Sequence, residues 1–207
     1  MTTDQPHSKR ESGDDRRLAI AAAARAIILE KGLEGLRTRD IAARVGINIA
    51  TLHYHVPSKE ALVALVAESI RYDFRDQALR HPRDGKTALQ KLHLEFNDFR
   101  ETMRDMPDLV IVLTELVARS RRDPVIAGIM TPIYEFWRNQ FVDIFRLGIA
   151  DGSFRADTDA EAAALIIAGA LSDCWRRPNP GSPRLEQMLA ELERAFAPYP
   201  SSSQGSL

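Results

Sequence analysis

Apolar residues recur along most of this chain at a spacing of three or four positions. One such stripe runs through Leu89, Leu92, Phe96, Phe99 and Met103, and a second runs through Leu185, Met188, Leu189, Leu192 and Phe196. This spacing places the apolar side chains on one face of an α-helix. Segments that alternate apolar and polar residues, as strands do, are almost absent. The pattern therefore predicts an all-α protein of about nine helices.

Side chains that can cap helices stand at several of the expected helix starts. Thr38, Asn48 and Ser58 each precede a helical run, where a side-chain oxygen can accept a hydrogen bond from a first-turn N–H. Asp157 or Thr158 is expected to do the same for a later helix.

The most informative segment is residues 38–59, TRDIAARVGINIATLHYHVPSK. It predicts two short helices joined by a tight turn at residues 46–48, with another helix starting at about Ser58. The residues with the spacing to lock these helices together are Ile41, Ala42, Val45, Ile47 and Leu52. The second helix then turns a different face outward, which carries Ile49, Ala50, Thr51, Tyr54 and His55. This is the layout of a DNA-reading helix-turn-helix, in which one helix lies in the major groove.

The outward side chains suit contact with base pairs and phosphates. Thr51 and His55 can hydrogen-bond base edges, while Ile49 and Ala50 can touch thymine methyl groups. Three side chains sit at helix ends or flanks, where phosphates bind exposed N–H groups and positive charge: Thr38, His53 and Lys59. Three ordinary amphipathic helices with a polar surface are the alternative, but they would not require this combination of turn, small residues, histidines and tyrosine. Double-stranded DNA is therefore the expected partner.

The segment resembles the N-terminal domain of the TetR family of bacterial transcriptional regulators. The residues that match the family pattern are Thr38, Ile41-Ala42, Gly46-Ile47, Thr51-Leu52, His55-Val56 and Lys59. The chain departs from the pattern at His53, where the family usually has a phosphate-contacting tyrosine, and at Asn48, which is often serine. Histidine can still donate to a phosphate. The match is strong over about residues 15–65, and the remainder fits the family in helix number and length.

The resemblance implies a fuller set of functional residues. Arg39 is expected to reach a guanine or a phosphate, which completes the DNA-binding set as Thr38, Arg39, Asn48, Ile49, Ala50, Thr51, His53, Tyr54, His55 and Lys59. The resemblance also implies a homodimer that reads a palindromic operator, most often as a repressor, and a small-molecule effector.

The expected domains follow from the same reading. A helix-turn-helix domain covers residues 14–59, and an effector-binding and dimerisation domain covers residues 60–198. Residues 1–13 and 199–207 are polar, so they are expected to form a disordered arm and tail.

Charge is unevenly distributed along the 207 residues. Residues 1–59 hold ten Lys and Arg against seven Asp and Glu, a net charge of +3. Because the whole chain has a formal net charge of −1, the remainder carries −4. A basic N-terminal part on an acidic body supports DNA binding at that end.

Polar or soft residues inside apolar helical faces mark a candidate effector pocket. These residues are His93, Phe96, Asn97, Met103, Glu115, Trp137, Phe141 and Trp175, on helices that enclose ligand cavities in the resembling family. Their aromatic and sulfur content suits an apolar or aromatic effector. Each of them, taken alone, is also compatible with an ordinary position in the hydrophobic core.

The last two helices are the candidate dimer interface. Small residues at 168–170 allow close approach of helices, and the stripe near the C-terminus needs a partner. By the resemblance, these helices form a four-helix bundle with their counterparts through Leu165, Gly169, Leu185, Met188, Leu189, Leu192 and Phe196. Alternatively, both stripes pack inside one chain.

No catalytic set, metal site or cofactor is expected. His53 and His55 are two positions apart, so their side chains diverge by about 200° on a helix and chelate poorly. The single cysteine, Cys174, is expected in the core or in the dimer seam. No apolar run reaches the roughly 20 residues that a membrane span needs, and the N-terminus lacks the apolar segment of a secretory signal. A cytoplasmic location without a membrane partner is therefore expected.

Two functions stay open at this point. The first is a TetR-type repressor that a small, largely apolar or aromatic effector releases from its operator. The second keeps DNA binding without a small molecule, as an architectural factor or one controlled by a partner protein. A cavity too small for a ligand, or one filled by its own side chains, would favour the second.

Overall fold

Helices account for nearly all regular structure in the computed structural model, which describes residues 13–176 and 183–199. The helices are α1 (Gly13–Lys31), α2 (Thr38–Val45), α3 (Ile49–His55), α4 (Lys59–Arg80), α5 (Ala88–Asp105), α6 (Pro107–Ser120), α7 (Pro124–Asp151), α8 (Ala160–Trp175) and α9 (Pro183–Phe196). A short 3₁₀ turn, Leu33–Gly35, follows α1. The prediction of an all-α fold is confirmed for these residues.

The expected arm and tail lie outside the described residues, apart from one residue of each. Gly13 begins α1. The hydroxyl of Tyr199 accepts a hydrogen bond of 2.7 Å from Arg155, so this first residue of the expected tail has a partner in the fold.

The chain forms two units, Met1–Ile70 and Arg71–Leu207, and the boundary between them falls within α4. No helix in the described ranges combines the length and the apolar character that a bilayer crossing requires.

In the first unit, α1 buries one face against α2 and α3. The side chains on this face include Ile20, Ala24, Ile27 and Ile28. Two ion pairs of 2.8 Å join α1 to α2 at the surface, Lys31 with Asp40 and Glu30 with Arg44. These pairs link α1 to α2, the helix that begins the helix-turn-helix.

In the second unit, α7 is the central helix and packs against α5, α6 and α8. Its start is well defined, because Asp123 accepts hydrogen bonds from the backbone N–H groups of Val125 and Ile126 while Pro124 occupies the first turn. Pro132 lies inside the helix. Proline has no N–H to donate, so one intrahelical hydrogen bond is missing there.

Aromatic rings fill the core of the second unit. The ring of Phe145 lies 5.0 Å from that of Phe154 and 4.7 Å from that of Phe196, measured between centroids. Phe154 packs directly on the backbone of Gly148, where an added Cβ would stand 2.0 Å from a ring carbon. Glycine is therefore required at position 148 unless the ring moves.

The apolar stripe of α9 packs inside its own chain. Leu185, Leu189, Leu192 and Phe196 are buried in the core of the second unit, and Met188 packs against this core half-buried. The four buried side chains are therefore not available to a second copy, which corrects the expectation from the sequence for these four. The physical reason is that helical spacing shows that a face is buried, but not which partner buries it.

Two of the expected caps belong to the starts of α4 and α8. The Ser58 hydroxyl accepts a hydrogen bond of 3.1 Å from the N–H of Ala61, as expected at the start of α4. The cap of α8 is Asp159, whose carboxylate accepts from the first-turn N–H groups. The expectation of Asp157 or Thr158 was therefore wrong by one or two positions.

Candidate DNA interface and effector cavity

The turn between α2 and α3 depends on Gly46. Its φ of 74° and ψ of 32° lie in the left-handed region, where a glycine has no Cβ to clash. The Gly46 N–H then closes the end of α2 on the carbonyls of Ala42 and Ala43, and the Ile47 N–H bonds the Ala42 carbonyl at 2.9 Å. The chain can therefore reverse within three residues and begin α3.

Asn48 caps α3, as the sequence predicts. Its side-chain oxygen accepts a hydrogen bond of 2.7 Å from the backbone N–H of Thr51. This bond satisfies one of the N–H groups that the first turn of a helix leaves without an intrahelical partner. The direction of α3 relative to α2 is thereby set by a local contact.

The inner face of α3 is held by Leu52, and Val56 follows directly after the helix. Both side chains are buried. In the predicted lock, Ile41 and Ala42 are buried as well, while Val45 and Ile47 are half-buried.

The outer face of α3 is open to solvent, as expected for a helix that reads DNA. Tyr54 is 85% exposed, and Ile49, an apolar side chain, is 46% exposed. The other side chains of this face are Ala50 and His53, which are exposed, and Thr51 and His55, which are half-buried. The rings of Tyr54 and His55 meet edge to face with centroids 5.2 Å apart.

Arg17 of α1 stabilises the C-terminal end of α3. Its guanidinium donates to the carbonyl of His55 at 3.3 Å, and another of its nitrogens lies 3.5 Å from the Glu68 carboxylate of α4. A positive charge at this end also interacts favourably with the helix dipole. This role could not be predicted from the sequence, because nothing in the local pattern links residue 17 to residue 55.

The N-terminus of α2 differs from the expected arrangement. The N-cap is Arg37, with an extended φ of −123° and ψ of 131°, and no side chain caps the helix. Thr38 is therefore the first helical residue, so the prediction that it caps α2 was wrong. Without a side-chain cap, first-turn N–H groups stay available to a phosphate.

The two basic residues of the expected DNA-binding set lie on the surface. Arg39, in the first turn of α2, and Lys59, the first residue of α4, are both exposed. Neither forms an ion pair with another described residue, unlike Lys31 and Arg44, whose charges are matched by Asp40 and Glu30. The charges of Arg39 and Lys59 are therefore exposed at the surface without a matching carboxylate within ion-pair distance among the described residues.

The histidines of α3 take no part in a cluster of metal-ligand geometry. Within the described residues, such a cluster is formed by His81, Asp98 and Glu101, whose ligand atoms lie within 4.8 Å of one another. Its two carboxylates already accept from guanidinium groups, Asp98 from Arg83 and Glu101 from Arg80. A metal ion would have to compete with both arginines, so we interpret the cluster as structural.

The second unit contains a cavity of about 210 Å³ between α7 and α8. Its lining is mostly apolar, and five of the side chains are aromatic: Phe74, Tyr134, Trp137, Phe141 and Trp175. The remaining lining residues are Leu113, Ile133, Glu135, Arg138, Leu165, Ala168, Leu171 and Ser172. A concave apolar site of this kind is the usual form of a small-molecule binding site.

A chain of aromatic contacts shapes one wall of the cavity. Trp137 meets Phe74 edge to face at 5.1 Å and Trp175 at 5.7 Å, both measured between ring centroids. Trp175 in turn stacks on Phe99 at 5.8 Å with the two planes 16° apart. Such contacts hold the rings in fixed orientations.

The structure brings together only three of the eight predicted pocket residues, Trp137, Phe141 and Trp175. Phe96 and Met103 are buried in the core of the second unit, outside this lining. The other three expectations are corrected below.

Three polar side chains expected in the pocket lie elsewhere. His93 is at the surface, where its Nε2 is 2.9 Å from the Glu193 carboxylate. Asn97 is exposed and accepts from Arg100 at 2.7 Å, while Glu115 is an exposed residue of α6. Each occupies the polar side of its helix, which the residue type alone could not reveal.

Two of the lining residues that were not predicted, Ile133 and Leu171, follow the helical spacing of those that were. Ile133 precedes Trp137 and Phe141 by one and two turns on α7, and Leu171 precedes Trp175 by one turn on α8. Helical spacing from the predicted aromatic residues therefore indicates Ile133 and Leu171 as their neighbours on the same helix faces. This spacing does not distinguish a cavity from a filled core.

Helix α8 also carries an exposed apolar face. Leu165 is 60% exposed and Ile166 is 54% exposed, and an added Cβ on Gly169 would meet open space. Leu165 and Gly169 belong to the predicted dimer interface. Cys174, expected in the core or the dimer seam, is half-buried, with its sulfur 3.7 Å from that of Met188.

The geometry of α2, the turn and α3 defines a helix-turn-helix protein. Comparison with known proteins agrees with this class. The family model described as "Bacterial regulatory proteins, tetR family" matches residues 20–66. The transcriptional repressor KstR2 of Mycolicibacterium smegmatis is 32% identical over 194 residues, which cover 92% of this chain and 89% of that protein.

Solved structures show the same fold. The ketosteroid transcriptional regulator KstR2 of Mycobacterium tuberculosis superposes with a TM-score of 0.62 at 25% identity, covering 88% of this chain and 95% of that one. Salmonella enterica GusR superposes with a TM-score of 0.76 at 21% identity, covering 92% of this chain and 99% of that one.

The chain belongs to the TetR family of bacterial regulatory proteins. It is a DNA-binding transcriptional regulator and not an enzyme, as the sequence predicts.

Proposed function

We propose that this protein is a homodimeric repressor whose α3 helices read a palindromic operator and whose operator complex is released by a small apolar effector. The observation that carries the DNA-reading part is the solvent-facing side of α3. Tyr54 is 85% exposed and Ile49 is exposed on this side, while Leu52 on the opposite side of α3 is buried. Exposed apolar side chains of this kind suit contact with thymine methyl groups.

We assign sequence reading and backbone contact to different residues. Thr51, Tyr54 and His55 of α3, with Ile49 and Ala50, contact bases in the major groove. Residues of the second set bind phosphates, which supplies affinity but little sequence information: Thr38, Arg39, Asn48, His53 and Lys59.

The dimer rests on the exposed face of α8. A pair of neighbouring aliphatic side chains, Leu165 and Ile166, is exposed beside a glycine that leaves room for another helix. A second copy would bury these side chains, which favours association because apolar surface leaves water. Two copies related by two-fold symmetry would present two α3 helices to two half-sites, so the operator would be palindromic.

Repression is favoured by the relatives. KstR2 of Mycolicibacterium smegmatis, at 32% identity over most of both chains, is named a transcriptional repressor. By analogy, this protein would block transcription while bound to its operator.

The effector site is the aromatic-lined cavity of the second unit. Its volume of about 210 Å³ is below the roughly 300–1,000 Å³ typical of sites for drug-sized ligands. We therefore propose a molecule of one or two rings. KstR2 of Mycobacterium tuberculosis is described as a ketosteroid regulator, but a four-ring ligand would need a wider cavity than this one.

Helix α4 is the element through which an effector would act on DNA binding. It runs without interruption from Lys59, a proposed phosphate contact, to Arg80, and Phe74 on its second half lines the cavity. At 1.5 Å per residue its 22 residues extend over about 33 Å. An effector that shifts Phe74 would displace Lys59, so effector and operator would favour different states of the protein.

A variant whose cavity is blocked distinguishes this proposal from the alternative of a regulator that has no small-molecule effector. In Ala168→Phe, a ring would occupy the cavity, while Ala118→Phe places the same ring on the exposed side of α6 as a control. A thermal-shift screen of one- and two-ring compounds should find ligands that stabilise the wild type and the control but not Ala168→Phe. The same ligands should release DNA from the wild type and from Ala118→Phe but not from Ala168→Phe.

The opposite result would favour the second candidate, an architectural or partner-controlled factor of the same fold. In that case no compound would stabilise the wild type, or the hits would act equally on Ala168→Phe.

A further inference from the structure

One side chain that lines the effector cavity has a buried indole N–H without a hydrogen-bond partner among the described residues. Trp175, the last residue of α8, lines the cavity. Its Nε1 atom is shielded from solvent and has no partner in the described part of the chain. Buried donors in folded proteins are nearly always paired, so an unpaired donor at a binding site points to an acceptor on the ligand.

The other hydroxyl donors of the lining are already engaged. The Tyr134 hydroxyl shares a hydrogen bond with the side chain of Ser120. The Ser172 hydroxyl donates to the backbone carbonyl of Ala168 at 2.7 Å. These two hydroxyl groups therefore have partners within the protein, whereas the buried indole N–H of Trp175 has none among the described residues.

The charged residues of the lining do not favour an ionic ligand. Glu135 and Arg138 are both exposed to solvent, one turn of α7 apart and opposite in sign. The interior is otherwise formed by aliphatic and aromatic side chains, where an ion would lose its hydration without a matching charge. A neutral ligand fits this lining better than a charged one.

The direction of the Trp175 N–H is fixed by its neighbours. The indole is stacked on Phe99 with nearly parallel planes and is held from the side by the ring of Trp137. Because the ring cannot rotate freely, an acceptor on the ligand has to occupy a defined position. A donor that is oriented in advance selects ligands by the place of their oxygen atom as well as by their size.

We propose that the effector is a neutral apolar molecule that carries a carbonyl oxygen, and that this oxygen accepts a hydrogen bond from Nε1 of Trp175. The inference rests on the proposed function, because it assigns the chemical class of the ligand that enters the same cavity. The aromatic wall selects the hydrocarbon body, and Trp175 selects the oxygen.

Two bicyclic probes measure how much the carbonyl oxygen contributes to binding. 1-Tetralone and tetralin have nearly the same shape, but only 1-tetralone carries a carbonyl group. The chain has two tryptophans, so full-length protein with ¹⁵N-labelled indoles gives two side-chain N–H signals, and Trp175→Phe identifies which is which. Affinities for both probes are measured on the wild type, on Trp175→Phe and on Trp137→Phe as the matched control.

The inference expects three results together. The wild type binds 1-tetralone about fivefold more tightly than tetralin, the usual effect of one hydrogen bond. The Trp175 indole proton moves downfield with 1-tetralone and not with tetralin. Trp175→Phe loses the preference, whereas Trp137→Phe weakens both probes and keeps their ratio.

Two other results would overturn it in distinguishable ways. Equal affinities for both probes, with no downfield shift at Trp175, would refute the carbonyl assignment and leave the cavity as an effector site. If neither probe bound and the compound screen on the wild type gave no ligand, the assignment of the cavity as an effector site would be refuted. The carbonyl assignment would then be refuted as well.

Discussion

The carboxylate of Glu30 on α1 accepts a hydrogen bond of 2.8 Å from the guanidinium of Arg44 on α2. Arg44 lowers the pKa of Glu30 below its ordinary value of 4.5. Lys31, next in sequence, donates to Asp40 and lowers the pKa of that carboxyl below its ordinary value of 3.8. Two adjacent residues of α1 thus bind both ends of α2 through charge.

Acid should therefore weaken the attachment of α2. A carboxyl whose pKa is lowered on folding stabilises the folded state above its unfolded pKa, and this contribution is lost as the pH falls through the folded pKa. We expect the urea midpoint to fall below about pH 4.5, and to fall less steeply in the double variant Glu30→Gln/Asp40→Asn. Asp14→Asn, which removes one charge from an exposed position of α1, is the control. An acid slope in the double variant as steep as in the wild type would contradict this role.

The cap of α3 predicts a second effect on stability. Asn48→Ala removes the acceptor for the Thr51 N–H and should lower the free energy of unfolding by about 1 kcal/mol. Asn48→Ser keeps an acceptor at the cap and should retain most of that stability. Urea denaturation of the three proteins measures both effects. Equal losses in the alanine and serine variants would show that the cap is not the reason for asparagine at this position.

Two glycines of α7 should respond in opposite directions to alanine. Gly128 has open space around it, so Gly128→Ala should stabilise the protein by about 0.5–1 kcal/mol, the helix-propensity difference. At Gly148 the same gain is outweighed by contact with the Phe154 ring, and Gly148→Ala should destabilise by about 1–3 kcal/mol. Phe154→Ala should make the second substitution less harmful, which a double-mutant cycle in urea can measure. Additive effects would contradict the contact.

The exposed face of α8 predicts the oligomeric state. Ile166→Glu should convert a dimer into a monomer at micromolar concentration, because a dimer interface would have to bury the new charge. Ile111→Glu, at a similarly exposed isoleucine on α6, should remain dimeric. Sedimentation velocity distinguishes the two. A monomeric wild type, or a dimeric Ile166→Glu variant, would refute the proposed interface.

Local chemistry explains which features could be predicted from the sequence. The helices followed from apolar spacing, and the cap by Asn48 followed from a side chain that reaches its own first turn. Thr38 was misplaced by one position, because the extended backbone of Arg37 decides where α2 begins. That conformation depends on the preceding turn and not on the capping ability of Thr38.

Features that depend on tertiary packing could not be predicted in this way. The stripe on α9 was recognised as a buried face, but its partner turned out to be the core of the same chain. Of the residues expected in an effector pocket, Trp137, Phe141 and Trp175 line the cavity, whereas His93 pairs with Glu193 at the surface. Whether a polar residue faces a cavity or solvent depends on the rotation of its helix.

The most direct test of the central claim, that the outer face of α3 reads DNA sequence, is selection of bound duplexes from a random library. We expect the wild type to enrich a two-fold symmetric sequence and Thr51→Ala/Tyr54→Ala to lose that preference while still binding DNA at low salt. Lys59→Ala, the matched phosphate-contact variant, should enrich the same sequence with lower affinity and a salt slope reduced by about one. Enrichment of the same sequence, equally strongly, by Thr51→Ala/Tyr54→Ala would contradict the claim.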